Sequence, residues 1–391
     1  MPASNRVGFL IHPTSSAYVR KTFPQATTDA DLDELLRSFK PARDYGVRVT
    51  SLTGAEVEVF IYGIPLMPNA FLSRPREEVM ALLLEAARLA KEDGVKVLGL
   101  AAFTSIVPSG GIQIQRAVGV PCTSGNTYTA AIAVRGLLAI AAEMKRDVSA
   151  CTVAVVGATG SVGSPCVDLI AAHRPKKLLL VAKNAERLES RAEKVRDDFG
   201  LDVEWSTNMA DLSSADLVFI STSATTAIVE PHVLKAGALV CDVSIPHAVS
   251  QSIFEKRPDV LVMEGGFVRV DHRVMRSLEV KAFTSENGVQ LAKLMPCSAY
   301  LDDGLWAACL AETFLLGLEG RFETVGLGAI TAEQALAMEA IGEKHGMSVA
   351  PEKLTLFPEI MDNPRLAEES RRRFLATQSP AHPTPSDLAA F

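Results

Sequence analysis

Residues 152–163, Thr-Val-Ala-Val-Val-Gly-Ala-Thr-Gly-Ser-Val-Gly, constrain the fold more tightly than any other stretch. A β-branched, apolar run ends in glycines, and an apolar helical pattern follows from Ser164 to about Ala172. In such a strand–turn–helix, glycines permit a tight turn and let backbone approach a pyrophosphate, which then faces the positive end of the helix. The spacing is G-x-x-G-x-x-G rather than the commoner G-x-G-x-x-G. An ordinary βα turn is the alternative. The strand before and the helix after favour a dinucleotide site at Gly157, Thr159, Gly160, Ser161, Val162 and Gly163.

Strand-like runs recur at 152–157, 177–182, 202–205, 217–221, 238–243 and 259–263, alternating with helical stretches. That alternation predicts a Rossmann-like, doubly wound parallel sheet. The second run ends in Lys183-Asn184, with Arg187 one helical turn later. A cofactor with a free ribose 2′-hydroxyl would be met there by Asp or Glu, whereas positive charge suits a 2′-phosphate. The expected cofactor is therefore NADPH, held by Lys183, Asn184 and Arg187; solvated helix-start charges are the plainer alternative. Ser221, Thr222 and Ser223, closing the fourth run, and Gly265, after the sixth, complete the expected cofactor contacts.

Before this unit, strands are expected at 6–11 and 95–100, a hairpin at 47–52 and 57–62 around Thr53-Gly54-Ala55, and a helix at 76–92 stopped by Gly94. Phe103-Thr104-Ser105 reads as a polar loop. The chain then divides into an N-terminal α/β substrate domain (1–145), the dinucleotide domain (146–270), a C-terminal helical segment (271–350) and an extension (351–391). The Pro/Ser/Thr-rich tail from about residue 375 is expected to be disordered.

A net charge of −7 argues against non-specific nucleic-acid binding. The six cysteines form no CxxC pair, and no His/Cys cluster has metal spacing, so reduced thiols and no metal are expected. The N-terminus lacks a signal-peptide layout, and the apolar run from Thr129 to Met144 is short and broken by Arg135. These features predict a cytoplasmic protein without an integral membrane segment.

Thr123-Ser124-Gly125-Asn126-Thr127-Tyr128-Thr129 precedes that long apolar helix, either as an N-cap or as a substrate-facing turn between domains. A second helix is expected over 304–320, capped by Asp302 or Asp303 and carrying Cys309 in its second turn. A third, from Thr331 to His345, opens on the capping-box-like Thr331-Ala-Glu-Gln334. By pattern alone Cys309 is a small hydrophobe. A helix N-terminus favours a thiolate, while Asp302, Asp303 and Glu312 would oppose one. Glu312 reads more readily as a surface glutamate than as a general acid or base one turn away, His12 more readily as structural than as facing the interdomain cleft, and His247 and His345 as capping side chains.

Taken together, Gly8-Phe-Leu-Ile-His12-Pro-Thr-Ser15, Phe103-Thr104-Ser105-Ile106, the Thr123–Ala130 stretch, the glycine segment, Ala182-Lys-Asn-Ala-Glu-Arg-Leu188 and Ala308-Cys309-Leu-Ala-Glu312 stand in the order seen in one family. From about residue 7 to residue 349 the chain resembles the long-chain fatty acyl-[acyl-carrier-protein] reductases of cyanobacterial, aldehyde-forming type. The resemblance implies NADPH-dependent reduction of an acyl thioester, delivered by acyl carrier protein or coenzyme A, through an acyl-enzyme on Cys309. It implies further that Thr104, Ser105, Gly125, Asn126, Thr127 and Tyr128 face the substrate, and that an aldehyde-consuming enzyme receives the product. Arg371-Arg372-Arg373 and the 187–196 helix are the candidates for a basic surface to meet an acidic carrier, with solvated charged faces the commoner reading. Tyr128 replaces the family's histidine, and Lys183 stands where arginine is common, keeping the charge without the bidentate fork. A non-covalent dehydrogenase of shikimate-dehydrogenase type and a non-catalytic NADP-binding sensor are the competing readings.

Overall fold

The structure, a computed structural model, describes residues 5–107, 111–283, 290–294, 304–350 and 364–378. Its first sheet is built from β1 (Arg6–Ile11), β2 (Ala42–Thr50), β3 (Glu56–Gly63), β4 (Leu98–Leu100) and β5 (Cys122–Thr123). The expected hairpin forms: β2 and β3 run antiparallel, and the turn between them takes Gly54 at φ +80°, a left-handed conformation that costs glycine little. β1 lies between β3 and β4, parallel to both, with Val7 opposite Val59 and Phe9 opposite Ile61.

The second sheet holds β6 (Thr152–Val156), β7 (Lys177–Val181), β8 (Val203–Ser206), β9 (Leu217–Ile220), β10 (Leu239–Asp242) and β11 (Leu261–Glu264). All its pairings are parallel, and the order is β11-β10-β9-β6-β7-β8. The chain thus winds one way from β6 and the other way from β9, and the reversal opens a crevice at the carboxyl ends of those two strands. Both faces are covered, which is why the strands read as continuous apolar runs. Helices Gly163–Ala171 and Ala185–Phe199 connect the first half. The second half is thinner than the expected alternation, with only short helical turns at Pro231–Val233 and Ile253–Lys256. One face is closed by the long helix Asn126–Glu143, whose Ala130, Val134, Leu137 and Ala141 share a core with Val153, Val155, Leu217 and Leu239.

The chain next forms β12 (Phe267–Val270), β13 (Glu279–Ala282), β14 (Leu305–Ala307) and β15 (Met347–Val349). β12 is flanked by β14 and β15 in a small antiparallel sheet, while β13 returns to the first sheet as an edge strand on β2. The helix Ala308–Leu318 lies against that first sheet: a Cβ on Gly317 would stand 2.3 Å from Val57 Cγ2, and one on Gly99 2.1 Å from Thr313 Oγ1. Side chains cannot be added where helix and strand approach this closely.

Several expectations change. Residues 95–100 give only a three-residue strand, and Phe103–Ile106 is a helical turn rather than a loop. The stretch expected as one helix over 304–320 begins as β14, so Cys309 is the second residue of its helix and not in its second turn. That helix is preceded by Ala307 with no side-chain cap; Asp302 and Asp303 lie outside the described residues. The Thr331–Gln334 capping box forms as expected. Pro364–Gln378 is helical, with Phe374 fully buried, so order extends past 375; residues 379–391 lie outside the described residues.

His12 is fully buried at the end of β1 between the rings of Phe71 and Phe103. Its Nδ1 lies 2.8 Å from the Pro13 carbonyl, and its Nε2 accepts the Phe103 amide at 3.3 Å. Only a neutral ring with its proton on Nδ1 satisfies both partners. Burial lowers its pKa to about 4. The unfolded chain then binds the extra proton first, so this contribution is complete above pH 6.5 and disappears as pH falls towards 4. Denaturant unfolding at pH 7 and pH 5 should show a loss of about 2 kcal/mol from this residue, and His12→Gln should flatten that part of the pH dependence.

Candidate functional site

The glycine segment makes the tight crossing expected at the crevice. Gly157 has φ +81°, and a Cβ there would fall 1.9 Å from the Ser221 carbonyl oxygen; at Gly163 it would fall 2.1 Å from the Gly157 oxygen. Gly160 differs, because its Cβ would meet only that oxygen, at 3.1 Å, with open space beyond. Two glycines therefore serve packing and the third leaves an exposed backbone surface, an arrangement that fits a pyrophosphate above the N-terminus of the Gly163–Ala171 helix. Val162 immediately precedes that helix, and Thr159 and Ser161 complete the loop.

At the ribose end, Asn184 caps the next helix, its Oδ1 accepting the Arg187 amide at 2.8 Å. The Arg187 guanidinium reaches back to the Thr159 carbonyl at 3.0 Å, and Lys183 is exposed beside it. Two cations thus flank the glycine loop where a carboxylate would select a free 2′-hydroxyl. Beyond β9, the Ser221 hydroxyl is buried against the loop without a partner, and the Thr222 amide donates to Ser244 Oγ. Ser223 is exposed. Gly265 is fixed by packing, since a Cβ would lie 2.5 Å from Cys241 Sγ and 2.6 Å from Val243 Cγ1.

Cys309 is half-buried at the start of its helix, and its wall is Gly125. That glycine has φ +70°, and a Cβ on it would lie 2.3 Å from Cys309 Cβ and 2.4 Å from Cys309 Cα. Gly125 also immediately precedes the Asn126–Glu143 helix and has no side chain to cap it, though within the Thr123–Thr129 stretch Ser124 Oγ accepts the first helical amide, that of Asn126, at 3.4 Å. The next residue ties this corner to the dinucleotide loop: Asn126 Nδ2 donates to Ser161 Oγ at 3.1 Å. Cys309, Gly125, Asn126 and Ser161 therefore form one continuous edge of the crevice.

The residue that sequence reasoning missed is Glu312. It is fully buried, not on the surface. The Thr123 hydroxyl donates to its Oε1, and the Tyr128 amide donates to Oε2 at 2.7 Å. Burial pushes its pKa up to about 6, against the hydrogen bonds from Thr123, Tyr128 and Thr127 and the charge of Arg321. A carboxylate from another helix thus supplies the missing N-terminal cap. The signal was present in the sequence as the single carboxylate in the otherwise uncharged run from Ala308 to Leu318.

Other expected substrate residues are placed differently. The Thr104 and Ser105 hydroxyls donate to the carbonyls of Ala101 and Ala102, at 2.7 and 2.8 Å. Tyr128 is fully buried, with its hydroxyl packed on Gly342 and donating to the Met347 carbonyl at 3.4 Å. Thr127 Oγ1 is buried without a partner beside Gly326. Among the basic surface candidates, Arg371 pairs with Glu143, Arg373 with Glu369 and Arg191 with Asp168. No metal-ligating cluster occurs among the described residues, and no described helix is long and apolar enough to cross a membrane.

The parallel sheet, glycine turn and crevice define a Rossmann-like NAD(P)-binding fold of the kind found in dehydrogenases and reductases. Residues 152–262 match the model of the NAD binding domain of semialdehyde dehydrogenase. Over 380 residues the chain is 26% identical to aminotransferase PigE of a Serratia species, covering 94% of this chain but only 42% of that protein. Over 364 residues it is 26% identical to the long-chain acyl-[acyl-carrier-protein] reductase of Synechococcus elongatus, covering 87% of this chain and 97% of that enzyme. Among solved structures, L-tryptophan dehydrogenase from Nostoc punctiforme aligns over 95% of this chain and 89% of its own, at 14% identity and a TM-score of 0.34.

Gly160 and Gly163 should respond differently to alanine. Gly160→Ala should leave the melting temperature within a few degrees while weakening binding of the nicotinamide dinucleotide about tenfold or more, because the added methyl occupies the face offered to phosphate. Gly163→Ala should lower the melting temperature as well, read by thermal melts beside a fluorescence titration with NADPH.

Proposed function

We propose that this chain reduces a long-chain acyl thioester to an aldehyde with NADPH, through a covalent acyl-enzyme on Cys309. The observation that carries the reading is the shared edge, in which the Cys309 helix is pressed on Gly125 and Asn126 is bonded to Ser161 of the glycine loop. A thiol so placed stands between an acyl group and a hydride donor. The similarity to the Synechococcus acyl-carrier-protein reductase along nearly its full length supports the substrate class. The exposed Lys183 and Arg187 support NADPH over NADH.

In this reading the Cys309 thiolate forms a bond to the thioester carbonyl carbon, and the carrier's C–S bond breaks. The carrier leaves as a thiol, taking the proton that Cys309 gave up. The Thr104 and Ser105 hydroxyl protons are already committed to carbonyls, and the Asn126, Thr127 and Tyr128 amides to Ser124 Oγ and Glu312, so none of these stands free to donate to the oxyanion. The nicotinamide, when bound, supplies a hydride for the acyl carbon. Cys309 then departs from that carbon as a thiolate, the aldehyde is released, and solvent returns the proton to sulfur. The net change is thioester, NADPH and one proton to aldehyde, free carrier thiol and NADP⁺. Acyl carrier protein and coenzyme A are the two carriers that chemistry accommodates.

Intact mass after mixing with a long-chain acyl thioester should show an acyl adduct that disappears on adding NADPH, as aldehyde forms, and that is missing in Cys309→Ser. NADPH binding without an adduct on the parent would exclude the covalent route and favour the non-covalent dehydrogenase or the sensor. Replacing Lys183 and Arg187 by alanine should weaken NADPH about tenfold or more and leave NADH binding nearly unchanged, read by parallel titrations.

A further inference from the structure

The buried carboxylate of Glu312 has no part in that sequence of steps, yet it holds the site's backbone together. Starting from the turn, the Gly125 amide donates to Thr123 Oγ1 at 3.0 Å, and the Thr123 hydroxyl donates to Glu312 Oε1. Starting from the helix, the Tyr128 amide donates to Glu312 Oε2. Both connections end on a side chain three residues after Cys309, one helical turn along. The first connection anchors Gly125, which forms the wall against Cys309 Cα and Cβ, and the second anchors the helix that begins immediately after it.

We propose that Glu312 is a positioning residue for Cys309, clamping the Thr123–Gly125 turn and the N-terminus of the Asn126–Glu143 helix onto the helix that carries the cysteine. The inference rests on Cys309 being the reactive thiol. Two consequences oppose each other. The clamp holds the positive end of an 18-residue helix beside the cysteine, which favours thiolate. The carboxylate itself places a negative charge one turn from the sulfur, which disfavours thiolate. Glu312 and Arg321 are charged groups in this neighbourhood, and Arg321 acts on Glu312 from just beyond the helix.

Two substitutions separate these effects. Glu312→Gln keeps an acceptor for the Tyr128 amide and gains a donor towards Thr123, so it removes the charge and keeps most of the clamp. Thr123→Val keeps the charge and breaks the link to the turn. The measurement is the rate of Cys309 alkylation by iodoacetamide against pH, read by peptide mass on the fragment containing residue 309. Cys122, Cys151, Cys166 and Cys241 are buried and do not compete in the folded protein, and Cys297, which lies outside the described residues, is replaced by serine in the parent and in both variants so that residue 309 alone reports. Glu312→Gln should move the midpoint down by about one pH unit, and Thr123→Val should move it up. Midpoints equal to the parent's in both variants, or shifts of the same sign, would overturn the proposal and leave Glu312 as a packing residue. Should Glu312→Gln fail to fold, the upward shift in Thr123→Val decides alone, and an unchanged midpoint there counts against the clamp. This readout uses no acyl thioester. If the parent forms no acyl adduct but the two midpoints move apart, the reductase reading fails and the role of Glu312 stands.

Discussion

The contact between Gly125 and Cys309 is the constraint on which the site depends. No side chain fits between them, so the backbone of one element is the wall of the residue on the other. A contact of this kind has no side-chain freedom with which to absorb error, and everything around it acts to hold two backbones in register. On one side the Ala308–Leu318 helix is seated by close approaches to β1, β3 and β4 at Gly317 and Gly99. On the other, the Asn126–Glu143 helix is seated by the core beneath the parallel sheet. The site lies where two separately packed bodies meet, a common location for clefts.

Electrostatics at this junction follow from helix geometry more than from surface charge. The long helix begins on Gly125, which has no side chain to cap it; Ser124 Oγ takes the Asn126 amide, and the amides that follow need partners. Glu312 provides one, and its oxygens are held by groups that would be orphaned without it. The cost of burying that carboxyl appears as its raised pKa, and is offset by hydrogen bonds and by the helix end it faces.

The parallel sheet was legible because burial on both faces writes itself as uninterrupted apolar runs, and because Gly157, Gly160 and Gly163 mark the crossing between β6 and its helix. The hairpin and the long helices were legible for the same reason of period. What escaped was set by tertiary contact. Leu305–Ala307 became a strand because β12 offered a free edge, which no local pattern reports. Phe103–Ile106 folded as a turn of helix whose Thr104 and Ser105 hydroxyls satisfy carbonyls behind them, and a polar loop has the same composition. Glu312 was read as exposed because charge ordinarily is. The helix around it is buried nearly all round, and a periodicity argument has no face left to assign it to. Tyr128 shows the converse: it sits inside a recognisable motif, but its side chain serves the packing of Gly342 and β15.

The first sheet also has a history in chain order. Its central strands come from the first hundred residues, but its edge strand β13 and the helix that covers Val7, Phe9, Val57 and Val59 lie beyond residue 278. The whole dinucleotide unit is threaded between a surface and its cover. During synthesis the amino-terminal sheet therefore leaves the ribosome with one apolar face bare, and it stays so while more than a hundred further residues are made. The unit inserted between them can close on its own parallel strands first. Chaperone dependence and proteolytic sensitivity of nascent chains should then concentrate on the sheet of β1 to β4, which becomes protected only when the helix carrying the cysteine arrives.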